Sequence, residues 1–262
     1  MMDLGLAGRR IAITGASAGI GRAVALTLAE EGARLVLGAR GEKALRHTAR
    51  ELSSRGMQPG VVVGDLTSPE GAAALVARAQ QCYGGLDGLV CCVGSTPLGT
   101  FDALDDEMWL SAYETKFLGT VRAVRAALPA LRASGHGRVV VLAGNSTFDP
   151  EPTMATSAVV NAALGALVST LARSYGAEGV RFVCVDPGPT DTARFQALRK
   201  SMAHSHGTDE STAEKLIRAR IPTGHITTPE EVAITVALSL SPKQPQLTGT
   251  RIVVDGAATW VR

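Results

Sequence analysis

Three glycines, Gly15, Gly19 and Gly21, lie in the segment TGASAGIG, which directly follows the apolar run Ile11–Ile13. A helical pattern begins immediately after them. A strand that leads through a tight glycine turn into a helix brings backbone N–H groups and the positive end of the helix dipole to one point, where an anion binds. The segment therefore predicts a site for the pyrophosphate of a dinucleotide, formed by Gly15, Ser17, Gly19, Ile20 and Gly21.

A second predicted strand, Arg34–Leu37, is followed by Ala39 and Arg40. In dinucleotide-binding folds the end of this strand meets the adenine ribose. A carboxylate there would bond the 2′-hydroxyl and repel a 2′-phosphate. Ala39 removes that repulsion, and Arg40 offers a guanidinium to phosphate. We therefore expect NADP(H) to be preferred over NAD(H). The alternative is that Arg40 only ends the strand in water.

Asp65 and Leu66 close the third predicted strand, Gly60–Gly64. A short acceptor at this point can accept a hydrogen bond from the adenine amino group, although Asp is also common in strand-end turns. We include both residues in the expected cofactor site.

Composition excludes several classes of function. The chain has 262 residues, of which 45% are hydrophobic and 19% charged, with a net charge of +2. This charge is too mild to indicate nucleic-acid binding, and no basic cluster contains interleaved aromatics. We identify no apolar stretch of about 18 residues for a membrane span and no signal-peptide pattern. The four cysteines have neither metal nor disulfide spacing, and Cys91 and Cys92 are expected to be buried. We expect a cytoplasmic protein without metal.

Strand and helix patterns alternate along the chain. The predicted strands are Arg10–Thr14, Arg34–Leu37, Gly60–Gly64, Gly88–Val93, Arg138–Leu142, Val180–Val185 and Thr250–Val254, and the predicted helices are Gly21–Glu31, Glu42–Ser54, Pro69–Gly84, Asp105–Ser134, Thr156–Tyr175 and Pro229–Leu240. Strands that are almost continuously Val, Ile and Leu favour a parallel sheet covered on both faces. The prediction is an α/β, single-domain, doubly wound Rossmann fold of about seven parallel strands over residues 1–262.

The segment Thr192–Pro222 is polar and has no obvious periodicity. It follows the sixth strand, on the side of a parallel sheet where ligands bind. We interpret it as a mobile, irregular substrate lid; a plain surface excursion is the alternative.

The glycine motif, together with the later motifs, resembles the short-chain dehydrogenase/reductase family over nearly the whole chain. The segment Val185–Thr192 is similar to that family's Pro-Gly turn, and Pro229–Ala233 and Leu247–Gly256 match its late helix and final strand. The resemblance implies that Pro187, Gly188, Thr190 and Thr192 contact the nicotinamide end of the cofactor. At the fourth strand the family carries Asn-Asn-Ala-Gly, whereas this chain has CCVG, which keeps only Gly94 for close backbone approach.

The family's catalytic residues are replaced. It carries a Ser at the end of the fifth strand and a Tyr-x-x-x-Lys pair on the next helix, and this chain contains no Tyr-x-x-x-Lys. Aligning the segment NAAL at Asn161 with the family's Lys-Ala-Ala-Leu places Asn161 at the Lys position and Ser157 at the Tyr position. The Ser position falls on Gly144, beside Asn145 and Ser146. A Ser hydroxyl is a weaker and shorter acid than Tyr, and losing a positioned acid costs about 10²–10⁴ in rate.

One compensation is visible at Lys116, seven residues after Trp109, where the family carries an Asn. Lys and Asn have thus exchanged places, and a divergent subgroup of the family shares both the Thr-Lys-Phe-x-Gly helix and the Asn. We hypothesise that Lys116, with Asn161 and Ser157, orders a water that delivers a proton. The alternative is a Lys lying along a helix surface. His225 is a further candidate proton donor.

Three functions remain open at this point. The first is an NADP(H)-dependent oxidoreductase acting on a small carbonyl or alcohol. The second is a cofactor-binding but redox-silent assembly or regulatory subunit, and the third is a lyase or isomerase. The helices Asp105–Ser134 and Thr156–Tyr175 are long and apolar enough for a homotetramer or dimer. Function depends on the site and not on the fold, so the choice requires its geometry.

Overall fold

The computed structural model describes residues 3–259. Its seven strands form one parallel sheet in the order β3-β2-β1-β4-β5-β6-β7, as predicted for a doubly wound α/β fold. The strands are β1 Arg10–Thr14, β2 Arg34–Ala39, β3 Gly60–Val63, β4 Gly88–Cys91, β5 Arg138–Leu142, β6 Arg181–Pro187 and β7 Thr250–Val254. The fourth strand ends two residues before the predicted Val93, and the sixth extends through Pro187.

Helices cover both faces of the sheet. The described helices are α1 Gly19–Glu30, α2 Glu42–Ser54, α3 Pro69–Tyr83, α4 Asp106–Ala112, α5 Gly119–Ala133, α6 Ala155–Tyr175, α7 Ala193–Ser205, α8 Glu210–Ala219 and α9 Pro229–Leu240. One apolar core lies between the sheet and α1, α2 and α9, and a second lies between the sheet and α3, α5 and α6. The two-faced covering predicted from the strand composition is therefore confirmed.

Alternation along the strands explains these two cores. In β1, Ile11 and Ile13 are in the first core and Ala12 is in the second. In β5, Val140 is in the first core and Val141 in the second. Successive side chains of a strand point to opposite faces, so only a strand that is apolar throughout can fill two cores. This requirement accounts for the continuous apolar runs in the sequence.

The chain order creates a crevice between β1 and β4. From β1 the chain builds outward to β2 and β3, and it then returns to place β4 on the other side of β1. The loops that leave β1 and β4 therefore diverge to opposite faces of the sheet. In a doubly wound fold this switch point opens a crevice at the carboxyl ends of the strands, where ligands bind.

The predicted helix Asp105–Ser134 is interrupted. A six-residue π-helical turn, Tyr113–Leu118, separates α4 from α5. Such a turn inserts one extra residue into the helical repeat and is frequent at functional sites. Periodicity alone predicted one continuous helix here because the apolar positions on either side of the turn fit a helical repeat.

The expectation that the segment Thr192–Pro222 is irregular is wrong, because it contains α7 and α8. Each helix begins at a residue whose side chain caps it, Thr192 accepting from Phe195 N and Asp209 from Ser211 N and Thr212 N. The two helices share a small apolar cluster with the loop that follows them, formed by Phe195, Ile217, Ile221 and Ile226. The caps were the sequence signal for these helices, and the polar composition concealed it.

One helix has the length and composition of a membrane span, contrary to the expectation from the sequence. The stretch Ala155–Glu178, which includes α6, reaches a mean hydropathy of 1.5 over 18 residues, and 44% of that window is buried within the protein. In the fold its Val160, Leu164 and Val168 pack into the second core. Covering the sheet accounts for this apolar character.

The turn between β1 and α1 leaves no room for a side chain at Gly21. A Cβ atom there would lie 2.2 Å from the carbonyl oxygen of Gly15. We predict that Gly21→Ala lowers the free energy of unfolding by about 1–3 kcal/mol, because the turn must open. Urea denaturation measures this change. Gly176→Ala is the control, since a Cβ there meets nothing within 4 Å; equal effects of the two variants would contradict the prediction.

Candidate active site

A cavity of about 690 Å³ opens at the carboxyl ends of the central strands. Most of the residues predicted from the sequence line it: Gly15, Gly19, Ile20, Gly21, Gly94, Lys116, Asn145, Ser146, Ser157, Asn161, Pro187, Gly188, Thr190 and Thr192. Four residues of the predicted cofactor site, Ser17, Arg40, Asp65 and Leu66, are not part of this lining, and neither is His225. The structure therefore brings the glycine turn, the Pro-Gly turn and the expected catalytic residues to one place.

The glycine turn fits a phosphate group. Gly15 and Gly19 have φ values of 74° and 52°, which favour glycine, and a Cβ on Gly15 would lie 2.9 Å from the carbonyl oxygen of Cys92. The first residue before α1, Ala18, provides no side-chain cap. The N–H groups of the first turn of α1 are therefore available to an anion rather than used by a cap.

Arg40 and Asp65 follow β2 and β3 at the outer end of the crevice, and both are exposed. Asp65 Oδ1 accepts hydrogen bonds from the backbone N (3.0 Å) and Oγ1 (2.8 Å) of Thr67, and these bonds lower the pKa of its carboxyl group. Arg40 is close enough to Asp65 to lower that pKa as well. The side chain of Leu66 is buried in the second core, so only its backbone is available to a ligand.

The loop after β4 is held without the family's asparagines. Thr14 Oγ1 donates to the carbonyl oxygen of Val90 (3.4 Å) and accepts from the backbone N of Cys92 (3.1 Å). Cys91 is buried as expected, and burial raises the pKa of its thiol to about 12, so it stays protonated. Cys92 is only partly buried. The hydroxyl of Thr14 thus links β1 to the start of the loop that leads to Gly94.

Lys116 lies in the π-helical turn and points into the cavity. Its Nζ donates to Asn161 Oδ1 at 2.6 Å and to the carbonyl oxygen of Ala143 at 3.0 Å. Asn161 Nδ2 in turn donates to Ser146 Oγ at 3.0 Å. Gly94 permits this arrangement, because a Cβ there would lie 2.7 Å from Lys116 Cα. The ammonium thus lies between the end of β5 and the second turn of α6.

The environment of Lys116 favours loss of its proton. Burial and, second, the positive charge of Arg194 lower the pKa of Lys116 to about 8. Among residues 3–259 no carboxylate forms a salt bridge with it. An amide acceptor such as Asn161 binds the ammonium without supplying a negative charge, so the charged form remains less favoured than in water. A lysine of this pKa can exchange a proton near neutral pH.

Ser157 lies one turn before Asn161 on α6 and has different partners. Its Oγ forms a short hydrogen bond with Thr96 Oγ1 and accepts from Arg194 Nη2 at 3.3 Å. Arg194 also donates to the carbonyl oxygen of Thr96 at 2.6 Å through Nη1. Sequence analysis missed Arg194 and Thr96, because neither belongs to a motif and they are distant along the chain.

Hydrogen bonds to β6 and to the residue after β7 hold the turn that follows β5. The backbone N of Gly144 donates to Asp186 Oδ1 at 3.1 Å, and Arg251 pairs with the same buried carboxylate. Asn145 Nδ2 donates to Asp255 Oδ2 at 3.2 Å. Asn145 is therefore engaged with the end of β7, whereas the neighbouring Ser146 is bonded to Asn161. Of these two neighbours, it is Ser146 that contacts the Lys116–Asn161 pair.

The remaining predicted residues have local roles in the structure. Thr190 Oγ1 donates to the carbonyl oxygen of Gly188 (2.9 Å), and Thr192 caps α7. His225 is exposed, pairs with Glu231 at 2.9 Å and does not line the cavity. This placement contradicts the interpretation of His225 as a proton donor. Among residues 3–259 no group of three or more His, Cys, Asp or Glu side chains is arranged to hold a metal.

Comparisons with known proteins find a matching family model and several relatives. A family model described as enoyl-(acyl carrier protein) reductase matches residues 15–259. The chain is 31% identical to the uncharacterized oxidoreductase YvrD of Bacillus subtilis, with 97% of this chain and 98% of that protein covered. It is 32% identical to the oxidoreductase UcpA of Escherichia coli, with 97% and 95% covered.

A solved structure is similar to this protein over its whole length. The L-sorbose reductase from Gluconobacter frateurii, determined in complex with NADPH and L-sorbose, superposes with a TM-score of 0.92. The two sequences are 30% identical, and the match covers 100% of both chains.

The lowered pKa of Lys116 has a measurable effect on stability. Between pH 8 and pH 10.5 the unfolded chain keeps a proton that the folded protein has released. The free energy of unfolding of the wild type must therefore rise with pH relative to that of Lys116→Met, by at most about 3 kcal/mol over this range. Urea denaturation of both proteins at the two ends of the range measures the difference.

A matched control for this measurement is Lys200→Met, which removes an exposed ammonium. A difference between wild type and Lys116→Met that stays constant with pH would contradict the assigned environment of Lys116.

Proposed function

Because this chain belongs to the short-chain dehydrogenase/reductase family, we propose that it is an NADP(H)-dependent oxidoreductase that interconverts a small carbonyl compound and the corresponding alcohol. The observation that carries this proposal is the partly buried Lys116, whose ammonium is bonded to Asn161 in the cavity that also contains the glycine turn. A proton-active group and an anion-binding turn in one cavity are what carbonyl reduction requires.

The coenzyme would be held along the crevice. The N–H groups at the start of α1, with Gly15, Ser17, Gly19, Ile20 and Gly21, would bind the pyrophosphate. Arg40 would pair with the 2′-phosphate, and Asp65 and the backbone of Leu66 would meet the adenine. The Pro187–Thr192 turn and Gly94 would surround the nicotinamide end. When bound, this coenzyme supplies or accepts a hydride.

The protein's own contribution is the proton. Reduction of a carbonyl leaves negative charge on its oxygen, which must be neutralised in or near the transition state. Lys116, held by Asn161 and the carbonyl oxygen of Ala143, would donate a proton directly or through a water, with the hydroxyls of Ser146 and Ser157 orienting the oxygen. Asn145 would position this turn through its bond to Asp255.

The lid and the overall assembly belong to the same proposal. We assign residues 192–222 as the substrate lid of one domain spanning the chain, held to the cavity rim by Arg220, which pairs with Asp149 and Glu151. Phe101 and Leu110, which are 77% and 68% exposed, support burial in a homo-oligomer, a tetramer or dimer. We place the protein in the cytoplasm, with a small-molecule substrate and no nucleic-acid or membrane partner.

Substitution of Arg40 tests the choice of coenzyme. We predict that Arg40→Ala raises the dissociation constant of NADPH about tenfold to a hundredfold, because a charge-assisted bond to the 2′-phosphate is lost, and leaves that of NADH nearly unchanged. Titration of the coenzyme's fluorescence measures both constants. Arg50→Ala, which removes an exposed arginine of α2, is the control. An equal loss of affinity for both coenzymes, or an unchanged affinity for NADPH, would refute the assignment.

Substitution of Lys116 tests the proton donor. In reduction the acid must be protonated, so kcat/KM of the wild type should fall as pH rises above about 8. We expect the kcat/KM of Lys116→Met to show no such fall with pH and to be about 10²–10⁴-fold lower than that of the wild type. The variant should still bind NADPH. Steady-state assays over pH, with the best substrate from a panel of small aldehydes and ketones, measure this. NADPH binding without oxidation by any member would indicate a redox-silent protein.

A further inference from the structure

A second cationic group, Arg194, lies in the cavity beside the position of the family's tyrosine. Its guanidinium donates to the carbonyl oxygen of Thr96 (2.6 Å), to Thr96 Oγ1 (3.1 Å) and to Ser157 Oγ (3.3 Å). Thr96 and Ser157 are each only 4% exposed. Two buried hydroxyls and one guanidinium thus form a compact hydrogen-bonded group, of which the proposed proton transfer uses only the Ser157 hydroxyl.

The charge of Arg194 is not balanced by the protein. Among residues 3–259 no carboxylate forms a salt bridge with Arg194 or with Lys116. The two acidic residues of the cavity lining, Asp149 and Glu151, both pair with Arg220. The inner part of the cavity therefore contains two cations that no carboxylate contacts directly. Asp186 acts on Lys116 from a distance, and this carboxylate is already paired with Arg251.

The position of Arg194 in α7 increases this imbalance. It is the second residue of that helix, and the first turn contains no acidic residue. A positive charge near a helix N-terminus is opposed by the helix dipole, which favours an anion there. Burial also lowers the pKa of the guanidinium. An uncompensated cation in such a place is costly unless a ligand supplies the negative charge.

We propose that Arg194, together with Thr96 and Ser157, binds the carboxylate of the substrate, so that the substrate is a small oxo acid or the corresponding hydroxy acid. This inference rests on the proposed function, because it places the carboxylate beside the carbonyl group that the same site reduces.

The spacing of the two cations supports this substrate class. Ser157, bonded to Arg194, and Asn161, bonded to Lys116, are four residues apart on α6. Side chains at this spacing are neighbours on one helix face, about 5–6 Å apart at Cβ. A carbonyl oxygen and a carboxylate separated by one or two carbon atoms can therefore engage both groups together.

The donor geometry favours a carboxylate. A guanidinium has five N–H donors, and its three contacts with Thr96 and Ser157 leave at least two for a ligand. A planar fork of N–H groups matches the two oxygens of a carboxylate. Both forks of a guanidinium include Nη2, so a carboxylate bound in this way would replace the 3.3 Å bond from Nη2 to Ser157. The serine in place of a tyrosine at position 157 leaves the space beside the guanidinium in which such a group would lie.

Calorimetric titration of the protein saturated with NADP⁺ tests the inference, because the oxidised coenzyme cannot reduce the ligand. The probes are pyruvate and acetoacetate and their methyl esters, which lack the charge. We expect the wild type to bind at least one acid about tenfold to a hundredfold more tightly than its ester. Arg194→Gln should lose this preference and leave the affinity for the ester and for NADP⁺ unchanged.

Three results would overturn the inference: no binding of either acid, equal binding of acid and ester, or an Arg194→Gln variant that loses NADP⁺ rather than the acid. Arg218→Gln, on the exposed side of α8, is the control. Arg194→Lys keeps the positive charge but lacks the paired N–H groups of the guanidinium, so it should lose only part of the preference for the acid over its ester. This variant replaces Arg194→Gln if the latter does not fold.

Failure of the proposed function is distinguishable from failure of this inference. Absence of NADP⁺ or NADPH binding to the wild type would refute the proposed function, and the acid-to-ester comparison repeated without coenzyme would then decide the anion site alone. Normal coenzyme binding with no preference for the acids would refute only the role of Arg194.

Discussion

The partly buried hydrogen bond between the Lys116 ammonium and the Asn161 amide is the interaction on which the active-site region depends. A carboxylate at position 161 would stabilise the charged lysine and raise its pKa. The amide instead satisfies one N–H group without neutralising the charge, and the pKa remains at about 8. In the proposed function, this pair supplies the proton-active group of a site that has Ser157 where the family carries a tyrosine.

Backbone geometry makes this bond possible. The π-helical turn Tyr113–Leu118 carries Lys116 to the end of the sheet, and Gly94 allows the loop after β4 to pass against its backbone. Thr14 ties that loop to β1, where the glycine turn begins. The ends of β1 and β4 therefore position both Lys116 and the glycine turn. A substitution that moves either strand end would displace both of them.

The two sides of the cavity offer different kinds of positive group. On the side of α1, the proposed phosphate site consists of backbone N–H groups that no side chain caps. On the side of α7, Arg194 brings a full positive charge next to Ser157. The first helix of the segment 192–222 thus contributes a side chain to the cavity lining, and an apolar cluster within the segment packs against that helix.

The sequence by itself determined the sheet, both helical layers and the positions of the glycine and Pro-Gly turns, because these depend on local periodicity and on residues with special backbone freedom. It also located Lys116 and Asn161 through a spacing shared with a known family. It did not predict the π-helical turn, because the flanking periodicity is ordinary, nor α7 and α8, whose capping residues lay in a polar stretch.

Only the tertiary structure showed that Lys116 and Arg194 share one cavity and that His225 lies outside it. Arg194 reaches Thr96 across 98 residues of chain, and Lys116 reaches Asn161 across 45. Whether a charge is buried, and what it faces, depends on groups brought together from distant segments. Local sequence specifies the residue types, but burial and charge balance arise only when the strands and helices pack.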